Sequence, residues 1–234
     1  MTSLCAITVL ILSSACECIA PHSKNEEGVN SIVLHDQRDR SSLINDAVKS
    51  DLRYVDKKMV VKYSLKYRID YRLILAMIKQ ESRFDDGAIS YRGAQGLMQI
   101  MPVTYSEISE EIGIQDPFLP HENLNAGVYY VAKLSELFKD VKGDDNISLM
   151  LAAYNAGPSR IYDAQELAAY LGEDPYSWSS IRNILPLLSK RYYSLHHAAW
   201  NTSRPPNGYY GSARQTIRYV ENIMKTYHAY RQPA

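Results

Sequence analysis

The chain has 234 residues, 46% of them hydrophobic, enough for one core of ordinary size and short for two full domains. Its 26 basic and 26 acidic residues cancel, so no global field draws it to nucleic acid or to an anionic membrane surface, and a neutral or mixed substrate is expected. Tyrosine is abundant, 19 against three phenylalanines, which suits a groove that stacks on sugars as well as it suits ordinary core edges.

Leu4 to Leu12 is a short apolar run followed by Ser13, Ser14, Ala15 and Cys16. It reads as a secretion signal over residues 1–20, too short to span a bilayer, although no Lys or Arg precedes it. Two exits are open: acylation at Cys16, with Ser13 standing where an aliphatic residue is expected, or cleavage after Ala20. Both lead to the cell envelope and periplasm, and only the first adds an outer-membrane lipid anchor. Residues 21–50, with Pro21, Glu26, Glu27 and Gly28, read as a polar tether, and 51–232 as the folded domain. Cys5, Cys16 and Cys18 all precede it, leaving no thiol there for a disulfide, a nucleophile or a zinc site.

Leu52, Val55, Met59, Val60, Tyr63 and Tyr67 make Asp51 to Tyr67 an amphipathic helix with its lysines in water. Asp70 is placed to cap the next helix. In that helix Leu73, Ile74, Met77 and Ile78 recur at helical spacing, and Glu81 falls four after Met77, so its carboxylate projects from the apolar face. Desolvation raises the pKa of such a group and fits it for general acid work. A solvated last-turn residue is the plainer alternative. Asp85, Asp86 and Gly87 mark the end of the helix as turn residues, and Gly93 and Gly96 frame a turn that returns Leu97 to Ile100 to the acid.

Pro102 opens a helix to about Glu111 with Gly113 past its end. Leu124, Val128, Val131, Leu134 and Phe138 mark the core face of another, from Asn123 to Phe138. Asn146 is expected to cap a helix whose Ile147, Met150, Leu151 and Tyr154 share a face and which Gly157-Pro158 ends. Tyr154 thus points inward, and its hydroxyl needs a partner, backbone or otherwise. Ser159 to Leu171 is a short helix, Pro186 interrupts the next, Arg204 to Gly208 forms a loop, and Arg214 to Tyr230 closes the domain with Ile217, Val220, Ile223, Met224 and Tyr227 inward. The six histidines have no metal-ligand spacing, and no GxSxG elbow or phosphate-cradling loop occurs. No metal or cofactor is expected.

Glu81-Ser82, Ser90, GLMQIMP from Gly96 to Pro102 and AYNAG from Ala153 to Gly157 occur in the order and spacing of the lytic murein transglycosylases, whose catalytic domain is goose-lysozyme-like. From about Asp56 to Tyr230 the chain resembles this family, and within it the membrane-bound F type. The resemblance implies a mainly α, lysozyme-like multi-helix fold with a substrate cleft. It also implies cleavage of the MurNAc-GlcNAc bond of peptidoglycan glycan strands by a monomer, leaving 1,6-anhydro ends. By matching positions, Glu81 is the single acid and base, and Tyr154 assists beside it. Ser90 engages the acetamido group, and Met98, Gln99 and Asn155 line the cleft.

Two departures stand out. Residues 1–50 are too few for the solute-binding-like domain that F-type relatives carry, and Gln215-Thr216 stands where the family has Glu-Thr ahead of Tyr219-Val220. A hydrolytic lysozyme and a non-catalytic glycan-binding envelope protein remain the alternatives.

Overall fold

The computed structural model describes residues 46–233. The signal segment, Cys16 and the tether up to residue 45 lie outside the described residues. What is described is helical, as the resemblance implied, with two isolated bridges (Ile89 with Gln95, Gln95 with Ile100) and no strand. In chain order the helices are α1 (Asp46–Asp51), α2 (Lys57–Tyr67), α3 (Tyr71–Glu81), α4 (Pro102–Ile112), α5 (Pro120–Leu137), α6 (Gly143–Ala156), α7 (Pro158–Tyr170), α8 (Trp178–Ile184), α9 (Tyr193–Trp200) and α10 (Ala213–Arg231). The 3-10 turns Leu185–Leu188 and Lys190–Tyr192 join α8 to α9.

Helix α3 is the hub. Leu73 to Ile78 are buried without a break, so the helix is apolar all round, as a helix enclosed by others must be. Asp70 caps its start by accepting the Arg72 backbone N–H at 2.9 Å. Helix α10 packs along its length and α2 and α1 close other sides. Three tyrosines of α10 fasten it: Tyr219 to Glu81, Tyr227 to Asp70 at 3.1 Å, and Tyr230 to Asp51 of α1. Because Tyr219 meets the last residue of α3 and Tyr227 its cap, the two helices run antiparallel.

After Glu81 the chain reverses through Arg83 and Phe84, both at positive φ (54° and 69°), and enters the loop that ends at Met101. Buried Asn123, in the first turn of α5, pins this loop. Its amide donates to the carbonyls of Gln95 (2.8 Å) and Pro117 (3.0 Å), and its oxygen accepts the Met98 N–H at 2.9 Å. Two glycines permit the approach. A Cβ on Gly96 would lie 2.5 Å from the Asn123 side chain, and one on Gly127 of α5 would lie 2.5 Å from that of Met98.

The expected helix Asp51 to Tyr67 is two. The Asp56 side chain takes the Lys58 N–H at 2.8 Å and starts α2 afresh, while α1 begins before residue 51 and buries Val48 in the core. Asn146 does not cap α6, which starts at Gly143. Its amide reaches back to the Phe138 carbonyl at 2.6 Å and ties down the end of α5.

Replacing Asn123 by alanine strands a buried N–H and two carbonyls. Urea denaturation should therefore show a loss of about 3 kcal/mol or more. A loss below about 1 kcal/mol would mean that water substitutes for the amide and the staple is dispensable.

Candidate active site

Glu81 ends α3, and its Oε1 accepts the hydroxyl proton of Tyr219 at 2.5 Å. The residue keeps part of its surface open, yet the carboxyl is enclosed enough for burial to dominate its titration. Desolvation pushes its pKa up from 4.5 to about 7, against the pull of the Tyr219 hydrogen bond, which lowers it. The group is thus dry on its protein side and reachable from outside, and near neutral pH it carries its proton about half the time.

Tyr154 projects from α6 and donates to the Met98 carbonyl at 2.8 Å, with its ring packed against Tyr130 at 5.5 Å between centroids. Burial raises the pKa of the Tyr154 and Tyr219 hydroxyls well above 10, and the nearby Glu81 charge raises both further. The acid therefore has two tyrosines near it that stay protonated. Their hydroxyls are spent differently: Tyr219 donates to the carboxyl, whereas Tyr154 donates to the loop.

The other anticipated residues divide. Gln99 sits at φ 47°, and its amide nitrogen donates to the Ala88 and Gly96 carbonyls (3.0 and 2.9 Å), which fixes the side chain and leaves its oxygen as an acceptor. Ser90 is half-buried, and its Oγ accepts the Ala94 N–H at 2.9 Å. Asn155 is exposed, and its oxygen accepts from Thr216 Oγ1 at 2.7 Å, which in turn bonds Tyr210 at 2.5 Å. The expectation for Met98 needs correcting. Its side chain has no exposed surface and packs on Gly127, so it lines the core and not the cleft; only its carbonyl, under Tyr154, belongs to the site. No hydrogen bond joins Ser90, Gln99 or Asn155 to Glu81 among the described residues.

Tyr219 was missed from the sequence. The signal was there: on α10 the buried stripe is Thr216, Tyr219, Val220, Ile223, Tyr227 and Tyr230, and a tyrosine on a core-facing stripe must find a partner for its hydroxyl. Gln215, the position where the resemblance leads one to expect an acid, is exposed. Asp85 accepts the Gly87 N–H at 3.0 Å in an exposed turn, so it closes a loop and does not pair with Glu81. Among the described residues no cluster of three His, Cys, Asp or Glu side chains could hold a metal ion, and no helix is long and apolar enough to cross a membrane.

A family model for the transglycosylase SLT domain matches residues 58–176. The chain is 37% identical over 180 residues to a membrane-bound lytic murein transglycosylase F of Desulfosudis oleivorans, which covers 75% of this chain and 36% of that protein. It is 38% identical over 157 residues to the protein of the same name from Maricaulis maris, with 66% and 31% covered. The chain thus spans about a third of the length of the curated relatives it matches. Among solved structures it is similar to an inactive mutant of the lytic transglycosylase Slt from Pseudomonas aeruginosa (TM-score 0.53, 24% identity, 75% of this chain and 24% of that one). It is likewise similar to the 70 kDa soluble lytic transglycosylase SLT70 of Escherichia coli (TM-score 0.53, 23% identity, 76% and 24%). At these identities the structures speak for the fold.

A carboxyl whose pKa is raised on folding favours the folded state while protonated and opposes it once ionised. The contribution of Glu81 is complete below pH 4.5 and is lost as pH rises through about 7. Glu81→Gln, neutral at every pH, should match the parent near pH 4 and exceed it at pH 8 by up to about 3 kcal/mol in denaturant unfolding. A stability difference that does not change with pH would mean that the carboxyl is not desolvated.

Proposed function

Because the chain belongs to the transglycosylase SLT domain family, we propose that it is a lytic transglycosylase cleaving the β-1,4 bond between MurNAc and GlcNAc of peptidoglycan, with Glu81 as the single acid and base. The observation that carries this reading is the Glu81 carboxyl at the end of α3, desolvated so that its pKa is pushed up to about 7, with one hydroxyl donor and, among the described residues, no second carboxylate acting on it. An ordinary glycosidase places two carboxyl groups across the scissile bond. A site with one can draw its nucleophiles from the substrate.

Protonated Glu81 gives its proton to the bridging oxygen as the C1–O bond breaks. The positive charge developing at C1 is met by the carbonyl oxygen of the sugar's own 2-acetamido group. The carboxylate left behind is held by Tyr219, whose hydrogen bond favours the charged form and keeps the pKa from climbing beyond the useful range. That carboxylate then removes the proton of the C6 hydroxyl, and the C6 oxygen attacks C1 and displaces the acetamido oxygen. The product is a 1,6-anhydro-MurNAc end, and the proton returns to Glu81, so no water is consumed. An internal nucleophile pays no entropy of recruitment, which leaves orientation as the protein's task.

Orientation falls to the pinned loop. Tyr154 holds the Met98 carbonyl and so fixes Gln99 next to it, whose free oxygen accepts from a sugar hydroxyl. By the matching positions of the family Ser90 engages the acetamido group, and Asn155, steadied by Thr216, contacts the sugar. Action on sacculi places the protein, a monomer, in the cell envelope, reached either as a Cys16-anchored lipoprotein of the outer membrane or by cleavage after Ala20.

Mass spectrometry of digested sacculi tests the reaction: the expected muropeptides end in anhydro sugars, lighter by one water than hydrolysed ends. Reducing ends would make the protein a hydrolase, and sedimentation with sacculi without release would make it a binding protein. Glu81→Gln should lower turnover by about a thousandfold or more while still binding sacculi. Tyr219→Phe should move the alkaline limb of the kcat profile to higher pH, since it removes the contact that lowers the Glu81 pKa. A limb that stays in place or moves down would exclude Tyr219 from tuning the acid.

A further inference from the structure

A chain of two hydroxyls beside the acid leads from the interior to the surface and ends on a side chain of α6. Tyr210 bonds Thr216 Oγ1 at 2.5 Å, and Thr216 Oγ1 donates to Asn155 Oδ1 at 2.7 Å. Thr216 has no exposed surface and Tyr210 is half-buried, whereas Asn155 is exposed.

Helix geometry ties this point of the surface to the acid. Thr216 and Tyr219 lie three residues apart on the buried stripe of α10, so they are neighbours on one face, with Cβ atoms about 5 Å apart. Tyr219 meets Glu81, and Thr216 meets Asn155. On α6, Asn155 directly follows Tyr154, whose hydroxyl feels the Glu81 charge. Both helices therefore place Asn155 one step from a tyrosine beside the acid.

Valence sets the direction of the chain. A threonine hydroxyl has one proton, and here it is directed at Asn155, so toward Tyr210 Thr216 can only accept. Burial raises the pKa of the Tyr210 hydroxyl, which keeps it a donor. Donation thus runs from Tyr210 to Thr216 to Asn155. An amide whose oxygen is engaged in this way turns its Nδ2 donors away from the interior, and no acceptor among the described residues meets them. Gln99 is held in the opposite sense, with its nitrogen on the Ala88 and Gly96 carbonyls and its oxygen open.

Tyr210 is itself anchored. Its N–H donates to the Leu188 carbonyl at 3.0 Å, and the loop ahead of it is clamped to α7. Buried Asp163 accepts from the backbone and side chain of Asn207 (3.2 and 2.8 Å), while Arg160 donates to the Asn207 and Gly208 carbonyls.

Resting on the function proposed above, we propose that Tyr210 and Thr216 are positioning residues that fix the Asn155 amide with its N–H donors outward. The site then offers a donor to a sugar oxygen at Asn155 and an acceptor to a sugar hydroxyl at Gln99. Without the two hydroxyls the amide is free to turn over and present an oxygen to the oxygen it should bind.

A double-mutant cycle in the full chain, read as kcat/KM for release of soluble muropeptides from sacculi, tests this. Thr216→Val, nearly isosteric, should lower kcat/KM about fivefold to tenfold, the effect of about one hydrogen bond, and Thr216→Ser should restore it to within about twofold. Tyr210→Phe should lower it about threefold, and it carries the same test should Thr216→Val fail to fold. In an Asn155→Ala background, itself lowered about tenfold, either change should cost less than about twofold, because the group they act through is gone. Losses that multiply in that background, an Asn155→Ala variant with the parent's kcat/KM, or a loss that Thr216→Ser does not rescue would overturn the positioning role. A parent chain that releases nothing would instead refute the proposed reaction. The cycle is then read on the Kd for pelleting with sacculi: additive losses refute the positioning role, losses confined to the Asn155-bearing chain sustain it, and absence of binding refutes both.

Discussion

Taking the Glu81 carboxyl out of water costs more than the Tyr219 hydrogen bond returns, and the balance leaves its pKa at about 7. Holding that balance requires α3 to be enclosed to its last turn and α10 to be fixed in register beside it. The three tyrosines of α10 do this, each donating a hydrogen bond to a carboxyl group: Tyr219 to Glu81, Tyr227 to Asp70 and Tyr230 to Asp51. The same contact has opposite outcomes at the two ends of α3. At Asp70 burial pushes the pKa up, but the Arg72 side-chain and backbone hydrogen bonds, its charge and Tyr227 together bring it below the usual range. Glu81 has no cation, so burial prevails. One helix pair therefore holds a cap whose ionised form is favoured and an acid whose protonated form is favoured.

The loop opposite the acid is positioned by close approach more than by regular structure. Between Glu81 and Pro102 it has only two isolated bridges, and its place is set by Asn123, by the missing side chains of Gly96 and Gly127, and by the Tyr154 bond to Met98. Buried polar bonds of this sort are strong because their alternative is an unpaired group in a dry interior. They let a short, irregular segment hold Gln99 in a left-handed conformation that its own preferences would not select.

Periodicity made much of this readable from the sequence. The apolar spacing of α3 put Glu81 inward, Asp70 was identified as its cap, and the Gly113 and Gly157 helix ends were found, because each depends on neighbours within a turn or two. What escaped depends on tertiary partners. Met98 was assigned to the cleft from its place in the GLMQIMP resemblance, but its side chain is buried and packs on Gly127 in the core. Asn123 begins an amphipathic stripe and gave no sign that its amide would bridge three backbone groups of distant loops. Tyr219 lies 138 positions from Glu81, and only the docking of α10 on α3 makes them neighbours. The break at Asp56 was legible in principle, since an aspartate ahead of a lysine-rich apolar stripe is an N-cap signal, but the continuous amphipathic pattern masked it.

The state of the Glu81 carboxyl is open to direct observation. A pH titration of the side-chain carboxyl carbon of Glu81 by NMR, with Glu81→Gln to assign the resonance, reads its pKa without recourse to activity. A midpoint at about 7 is predicted, well above the exposed glutamates of the same spectrum. A midpoint near 4.5 would show a solvated carboxylate at the end of α3, ionised at neutral pH and with no proton to give.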